Sequence, residues 1–224
     1  MRVSLASWRN GNGEIAEARR LLATFPAGVD LTFTQRAGVV PLIGEGAYAS
    51  ILQRDFAGAL KLWENKRSDP DLTLKRLCAR AAIRVLAGQA ADAQPEAKQA
   101  RELLNNWLRE RPTDHVAFAH LSWIALALGR STEAIEAAQH AADLVPMEKD
   151  AFMGTSDLAN LAEVRARCGH SGEAITILKQ LLSIPAGFDV SIVRLKNDPV
   201  WDPIRNDPGF QQLLAGKELV GPNK

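Results

Sequence analysis

The sequence predicts an all-α protein made of repeated helix pairs. Apolar residues recur at helical spacing along most of the chain, and no sustained alternation of apolar and polar residues indicates a strand. A small residue also recurs near the start of each second helix, with separations of 41, 41, 34 and 40 residues between Ala18, Ala59, Ala100, Ala134 and Ala174. A period in this range is typical of an α-solenoid, in which each pair covers the apolar face of its neighbour.

The clearest pair spans residues 115–146. Its first helix carries apolar residues at helical spacing, namely Phe118, Leu121, Ile124, Ala125 and Leu128. Gly129 supplies the left-handed residue that ends this helix, and Ser131 or Thr132 is predicted to cap the second helix before Pro146 closes it. Small residues on the packed side of the second helix predict a close approach of the two helices.

Four further pairs are predicted at about residues 1–26, 31–66, 71–112 and 155–185, so that repeats fill residues 1–185 and a C-terminal cap and tail fills 186–224. The first pair opens with a helix of only about ten residues. We interpret this short opening as a chain cut from a longer protein, or as a first pair that is only half formed.

Irregular or connecting stretches are predicted at three places along the chain. A kinked or split helix is expected over residues 31–54, because helix breakers recur there at Gly38, Pro41, Gly44 and Gly46. Asp55 then caps the next helix. Residues 89–94 are predicted to connect two helices, the second starting near Pro95, and residues 147–157 to form an irregular loop. Helix stops are predicted at Gly88 and Gly169.

Three Asp-Pro dipeptides mark the tail: Asp198-Pro199, Asp202-Pro203 and Asp207-Pro208. Each places a capping carboxylate before a residue that suits the first helical turn, which predicts three short helical starts. The apolar residues of the tail would cover the exposed apolar side of the last pair; they are Val200, Trp201, Ile204, Phe210, Leu213 and Leu214. A metal site is disfavoured for these carboxylates, because caps on separate helices do not converge on one cation.

The composition indicates a soluble protein of balanced charge. Lys and Arg (27) nearly cancel Asp and Glu (26), which argues against direct binding to nucleic acid or to a membrane. The chain opens without the apolar stretch of a signal peptide, and no later run approaches the ~18 apolar residues of a membrane span. Cys78 and Cys168 each lie in a helical pattern, which predicts two buried thiols in a reducing, cytoplasmic setting.

The central pair resembles the tetratricopeptide repeat (TPR) family. It has bulky and small residues where the family has them, at Phe118, Leu121, Ser122, Ala134, Ala141 and Pro146. It departs from the family at Ala125 and Ala138, where aromatic side chains are usual. The last pair matches through Leu158, Leu161, Ala162, Ala174 and Leu178. This resemblance implies a right-handed α-solenoid of about five helix pairs with a C-terminal capping segment.

The tail between Asp198 and Leu214 is similar to the ending of the TPR modules attached to bacterial adenylate cyclases, serine/threonine kinases and winged-helix transcriptional regulators. The sequence Leu-Leu-Ser-Ile-Pro185 upstream adds to this likeness. The likeness implies the sensory or docking part of a larger signalling protein, with any catalytic or DNA-binding domain outside this chain.

The histidines and cysteines do not form a reactive arrangement in the sequence. His115 and His120 are five residues apart and face different sides of their helix, whereas two metal ligands on one face need a spacing of three or four. Cys168 and His170 fit a thiol followed by a helix stop better than a nucleophile with its base. The sequence therefore predicts no catalytic residues, no cofactor and no metal site.

A basic stripe is the most suggestive functional feature. Arg76, Arg80 and Arg84 recur every four residues in a stretch that lacks acidic residues. A solvated helix face is the ordinary explanation. The functional alternative rests on the TPR resemblance, in which first helices line an inner groove that would receive an acidic peptide or another domain. By the same alignment Trp123, Glu163 and Arg167 face the groove, although Trp123 fits equally a core position between pairs.

These observations favour a non-catalytic module that binds a protein or peptide, with an acidic segment as the partner that suits the stripe. Two other functions stay open. The chain is also compatible with a homo-oligomerisation element, such as a homodimer formed through its N-terminal end. A small-molecule sensor would require a closed pocket in the groove.

Overall fold

The computed structural model of the chain describes residues 2–25, 42–64, 70–184 and 190–216. Within these ranges it contains twelve α-helices, a short 3-10 helix and no strand, which confirms the all-α prediction for the described residues. The α-helices are α1 (Arg2–Gly11), α2 (Ile15–Ala23), α3 (Glu45–Ile51), α4 (Phe56–Lys61), α5 (Pro70–Leu86), α6 (Ala90–Glu110), α7 (His115–Ala127), α8 (Ser131–Leu144), α9 (Met153–Arg167), α10 (Ser171–Leu182), α11 (Ile192–Asn197) and α12 (Pro208–Ala215). The 3-10 helix, Pro199–Ile204, lies between α11 and α12.

The first ten of the described helices pack as five pairs, α1 with α2 through α9 with α10. Each second helix also contacts the first helix of the following pair, as α6 contacts α7 and α8 contacts α9. First helices of neighbouring pairs touch as well, α5 against α7 and α7 against α9. The pairs therefore lie next to one another in the order of the sequence.

The five alanines that define the repeat are buried at the contacts between helices. The solvent-exposed fraction is 0% for Ala18, Ala59, Ala100, Ala134 and Ala174 alike. A methyl group lets the two helices of a pair approach more closely than a larger side chain would allow, because interiors are packed at crystal-like density. The repeat read from these positions is thus a repeat of close helix contacts.

A residue with positive φ follows the first helix of each pair. Gly88, Gly129 and Gly169 have φ angles of 74°, 72° and 86°, which confirms the predicted glycine stops, and Gly13 has a φ of 79°. The turn between α3 and α4 differs, because Arg54 occupies this position with a φ of 63°. A side chain with a Cβ is disfavoured in that conformation by roughly 1–2 kcal/mol.

Two connecting segments are helical where loops were predicted. The prediction for residues 89–94 was wrong, because α6 begins at Ala90 and contains Pro95. The added turn packs on the next pair: Ala93 is fully buried, and the Gln94 side chain donates a hydrogen bond to the Ala127 carbonyl at 2.9 Å. The loop predicted over residues 147–157 is also shorter, since α9 starts at Met153.

Helix caps follow the predictions in part. Asp55 accepts a hydrogen bond from the Gly58 amide at 2.8 Å, as predicted. The expected cap at Ser131 or Thr132 is wrong, because α8 already starts at Ser131 and Arg130 precedes it without a side-chain cap.

The predicted break in the second pair occurs at Gly44, whose φ is 78° and which immediately precedes α3. Gly38 and Pro41, two other residues of that prediction, lie outside the described residues.

The two cysteines differ in burial. Cys78 is fully buried, and burial raises the pKa of its thiol to about 12, so this thiol stays protonated at neutral pH. Cys168 is only partly buried, and its thiol lies 3.7 Å from the Ser131 carbonyl oxygen. The prediction of a buried thiol is therefore confirmed for Cys78 alone.

The C-terminal part of the chain both covers the last pair and returns to the first pairs. Helix α12 packs on α10 and the 3-10 helix packs on α9, as predicted for a cap, but α11 also contacts α1. We call residues 190–204 the return segment. Asp198 and Asp207 start helices, accepting hydrogen bonds from the Val200 and Gly209 amides at 2.9 and 2.8 Å.

The predicted helical start at Asp202 is wrong, because Asp202 lies inside the 3-10 helix. Its carboxylate is engaged by arginine side chains instead of by backbone amides, as described below.

Among the described helices, none has both the length and the apolar character needed to cross a bilayer.

Replacing Ala100 by Leu is expected to lower the free energy of unfolding by about 1–3 kcal/mol, because three extra carbons must enter a close helix contact. Ala91 lies on the exposed side of the same helix, so Ala91→Leu should change it by less than about 0.5 kcal/mol. Urea denaturation followed by circular dichroism measures both. Equal effects of the two substitutions would contradict the close packing assigned to the repeat alanines.

Candidate functional site

The return segment is held by residues from both ends of the chain. At the α1–α2 turn, the Ser191 hydroxyl donates to the Gly11 carbonyl at 3.3 Å. Gly13 in the same turn has no room for a side chain, since an added Cβ would lie 2.7 Å from Val193 Cγ1. The candidate site is the surface that receives residues 190–204.

A buried polar cluster fixes Asp198, a residue with 1% of its surface exposed. The hydroxyl of Tyr48, on α3, donates to Asp198 Oδ2 at 2.6 Å, and Arg194 Nε donates to the same hydroxyl oxygen at 3.2 Å. The Arg194 guanidinium also lies 5.2 Å from the centre of the Tyr48 ring. This cluster joins α3 to the return segment across 150 residues of sequence.

Burial raises the pKa of Tyr48 well above its ordinary value of 10, and the neighbouring Asp198 carboxylate raises it further, whereas Arg194 lowers it. The phenol is therefore a hydrogen-bond donor at every pH near neutrality. The buried carboxylate of Asp198 has lost its hydration, and the hydrogen bond from this neutral phenol replaces part of it.

Arg54 forms a bidentate ion pair with the carboxylate of Asp202, the second aspartate of the return segment. Its Nη2 donates to Asp202 Oδ1 at 3.0 Å, and its Nη1 bonds Oδ2. Arg205 Nε donates to Asp202 Oδ1 at 3.0 Å. Burial alone would raise the pKa of Asp202, but the hydrogen bonds from Arg54 and Arg205 outweigh it and lower that pKa. Asp202 therefore stays ionised at neutral pH.

Arg167, one of the residues predicted to face the groove, contacts the return segment directly. Its Nη1 donates to the Val200 carbonyl at 3.3 Å, and its Nη2 donates to the Val85 carbonyl at 2.8 Å. Val85 lies in the last turn of α5, and its carbonyl also accepts a hydrogen bond from the Gly88 amide at 3.1 Å. Burial lowers the pKa of Arg167, while Asp202, Asp198 and Glu163 act against this shift, so the cation sits among three carboxylates.

The basic stripe on α5 is partly neutralised by the second helix of its own pair. Arg80 Nε donates to Glu96 Oε1 at 2.6 Å, and Arg84 bonds the other oxygen of the same carboxylate. Burial lowers the pKa of Arg84, and the nearby Arg80 adds to this effect. Arg76 has no ion pair within the described ranges. Two of the three cations therefore share one carboxylate, and the role of the stripe in partner binding stays a prediction.

Trp123 is a core residue in the structure, with 1% of its surface exposed. Its indole N–H donates to Asn160 Oδ1 at 2.9 Å, and the Asn160 amide lies 3.4 Å from the Ser122 hydroxyl oxygen. These contacts join α7 to α9. Glu163 lies on α9 as well and is buried, with 5% exposed. Burial fits the core alternative for Trp123 better than a free anchor.

The histidines are separated, as the sequence suggested. His115 Nδ1 lies 2.6 Å from an oxygen of the buried Asp157, and His120 lines a pocket formed by α5, α6 and the start of α7. No group of three or more His, Cys, Asp or Glu side chains in the described ranges is placed to hold a metal ion. What the site offers chemically is a set of arginine and tyrosine donors around two aspartates.

Sequence reasoning missed Tyr48, Arg54 and Arg194. A comparison of the hairpin turns would have found one of them, because Arg54 stands where the other four pairs have glycine. Tyr48 and Arg194 carried no comparable signal, since they meet only after the whole chain has folded.

No protein-family model matches the chain, and searches of curated proteins and of solved structures find no match either.

Tyr48 should resist ionisation until the protein unfolds. Its pKa is higher in the folded than in the unfolded chain, so its contribution to stability is complete below pH 10 and is lost as the pH rises toward the folded value. Tyr48 is the single tyrosine of the sequence, so tyrosinate absorbance reports it alone. We expect absorbance and circular dichroism to change together in an alkaline titration. An absorbance midpoint near 10 with unchanged helicity would contradict the buried hydrogen bond.

Arg54→Gly should be tolerated better than Asp202→Asn, although both remove the same ion pair. The ion pair is half exposed and contributes at most about 1 kcal/mol to the free energy of unfolding. Glycine at position 54 removes the cost of a positive φ, which is of similar size. The free energy of unfolding should thus change by less than about 0.5 kcal/mol for Arg54→Gly and fall for Asp202→Asn. Urea denaturation gives the order of stability, and hydrogen exchange in residues 190–204 should rise in both variants. The reverse order of stability would contradict a strained Arg54.

Proposed function

We propose that the chain is a non-catalytic interaction module, a right-handed α-solenoid of the TPR type that binds an acidic segment of a partner protein. The binding surface is the one that now holds the return segment. The module would serve as the docking part of a larger signalling or regulatory protein.

The contacts of the return segment support a curved row of helix pairs. Packed helices lie about 8–10 Å apart, so a straight row would place the first pair more than about 30 Å from the fifth. The return segment touches both, through α11 on α1 and through the 3-10 helix on α9. These two helices have six residues each and together span roughly 20 Å. A row that bends around the segment fits these lengths, and a solenoid has such an inner face.

Arg54 is the observation that carries the proposal. It has the left-handed backbone conformation that glycine adopts in the other four pairs, and two nitrogens of its side chain bond Asp202. Strained residues persist where the surrounding structure gains something from their side chains. Here the gain is a guanidinium that donates two hydrogen bonds to one carboxylate, a geometry that suits arginine.

The chemistry of the bound segment indicates the kind of partner. The surface takes two aspartates spaced four residues apart, with a tryptophan between them that is 3% exposed. The donors to this segment come from α3, α9 and the α3–α4 turn. The stripe of Arg76, Arg80 and Arg84 ends next to Val85 in the sequence. Arg167 donates to the Val85 carbonyl and also contacts the return segment. An acidic peptide with an aromatic anchor suits this combination.

A partner peptide must compete with the chain's own segment. A tethered ligand acts at an effective concentration in the millimolar range, so a free peptide at micromolar concentration would rarely displace it. Weakening the tethered segment should therefore expose the surface to a peptide added in solution.

The test uses a fluorescein-labelled peptide that copies residues 196–206 and the full chain carrying Asp198→Asn and Asp202→Asn. Fluorescence anisotropy should show at least tenfold tighter binding to this double variant than to the wild-type chain, because its own segment competes less. Adding Arg54→Ala to the double variant should weaken the peptide at least tenfold. A peptide with both aspartates replaced by asparagine should bind no variant tightly.

Asp143→Asn serves as the matched control, since Asp143 is an aspartate on α8 outside the site. It should bind the labelled peptide as the wild-type chain does. The proposal is wrong if the double variant keeps a wild-type circular dichroism spectrum and melting curve yet does not bind the aspartate peptide. Equal affinity for the asparagine peptide would also exclude recognition of an acidic segment.

A further inference from the structure

The α1–α2 turn, which receives the return segment, has the sequence Asn10-Gly11-Asn12-Gly13 and so contains two consecutive Asn-Gly dipeptides. In such a dipeptide the backbone nitrogen of the glycine can attack the side-chain amide of the asparagine, because glycine has no side chain to obstruct the approach. Asparagine is one of the thermolabile residues. The local structure decides which of the two dipeptides reacts, since the attack requires the backbone to move.

The two dipeptides differ in structure. Asn10 and Gly11 both lie in α1, and Asn10 is 3% exposed. A helix holds its amide nitrogens in hydrogen bonds along its axis, away from the preceding side chain. Asn12 and Gly13 form the turn that follows, and Gly13 is exposed. Asn12 is therefore the reactive candidate, and Asn10 is an internal reference in the same chain.

Contacts from α1 and from the return segment hold this turn closed. The Gly13 amide donates to the Asn10 carbonyl at 3.1 Å, so its nitrogen cannot attack while the turn is intact. Helix α1 has only ten residues, a length at which an isolated helix is marginal. The return segment adds the hydrogen bond from Ser191 to Gly11 and places Val193 close to Gly13. Release of the return segment should therefore free the Gly13 nitrogen more often.

The closed turn has no place for the products of the reaction. Asn12 Oδ1 is buried and has no hydrogen-bond partner among the described residues. A carboxylate in its place would lose hydration without compensation. In isoaspartate the main chain also runs through the former side chain and is longer by one carbon, whereas Gly13 has no room to move toward Val193. Either product favours a turn from which the return segment is released.

We propose that Asn12 is a deamidation site controlled by the return segment, and that its conversion to aspartate or isoaspartate keeps this segment released. Hydroxide takes the proton of the Gly13 amide, and the nitrogen attacks Asn12 Cγ. A C–N bond forms, the bond between Cγ and Nδ2 breaks, and ammonia leaves with a proton from water, which regenerates hydroxide. Water then opens the resulting succinimide at either carbonyl. The return segment thus protects the turn, and opening becomes permanent once Asn12 has reacted.

The first experiment incubates the folded full chain at mildly alkaline pH and follows both asparagines by tandem mass spectrometry. Asn10 and Asn12 share one tryptic peptide, residues 10–19, so their rates are measured together. Asn12 should deamidate at least about tenfold faster than Asn10, because only Asn12 lies outside the helix. In the chain that carries Asp198→Asn and Asp202→Asn, the rate at Asn12 should rise about tenfold or more, because the segment is released more often.

Three variants serve as controls. Asp143→Asn, outside the site, should leave the rate at Asn12 unchanged. Asn12→Gln should block the reaction, because the longer side chain disfavours closure of the ring. Val193→Ala removes only the contact at Gly13 and should accelerate Asn12 while Asn10 stays slow. An unfolded chain would lose ammonia from both dipeptides at similar rates, so Asn10 distinguishes release of the segment from unfolding.

The second experiment measures the consequence of the modification. Ion-exchange chromatography separates the modified wild-type chain, which carries an added negative charge. Hydrogen exchange in residues 190–204 should be faster in the modified than in the unmodified fraction. The Asn12→Gln chain, incubated in the same way, should show no change.

Three outcomes would overturn the proposal: equal rates at Asn10 and Asn12 in the folded chain, a wild-type rate at Asn12 in both the double variant and Val193→Ala, or equal exchange in the two fractions. None of these measurements uses a partner peptide, so they stand whether or not the acidic-segment proposal does. Tighter binding of the labelled peptide to the modified chain is a further expectation that rests on that proposal.

Discussion

The buried carboxylate of Asp198 is the constraint on which the C-terminal half of the architecture depends. Removing a carboxylate from water costs several kcal/mol unless hydrogen bonds replace the lost hydration. Tyr48, the Val200 amide and the nearby Arg194 supply that replacement; Val200 and Arg194 belong to the return segment itself, whereas Tyr48 is 150 residues away. The return segment can dock only when the second helix pair presents Tyr48, so the two ends of the chain are ordered together.

The features that the sequence predicted are those decided within a few residues. The alanine repeat, the glycine stops at Gly88, Gly129 and Gly169 and the cap at Asp55 depend on local sterics and local hydrogen bonds, and the structure has all of them. The segment over residues 89–94 was mispredicted because contacts from the next pair, through Gln94 and Ala127, favour helix where Pro95 suggested a later start. Tertiary packing outweighed a local signal there.

The site was harder to predict, because its partners are distant in sequence. The arginine stripe of α5 was visible, but Glu96, which neutralises part of it, lies on the following helix and carries no mark of that role. The Asp-Pro dipeptides were interpreted as caps, correctly for Asp198 and Asp207, whereas Asp202 meets an arginine 148 residues earlier. Arg54 differs from these cases, because it replaces a glycine that recurs in the other pairs. Its unfavourable backbone conformation is offset by the contacts of its side chain.

The return segment changes how such a chain can lose its structure. In a row of repeats that touch only their neighbours, terminal units have one neighbour and fray first, and unfolding can proceed inward unit by unit. Here contacts between Tyr48 and Asp198 and between Arg54 and Asp202 join an early pair to the end of the chain. Unfolding of the early pair or release of the return segment must then break these contacts as well. The chain gains cooperativity from this closure, and it folds more slowly, because contacts across 150 residues close a long loop.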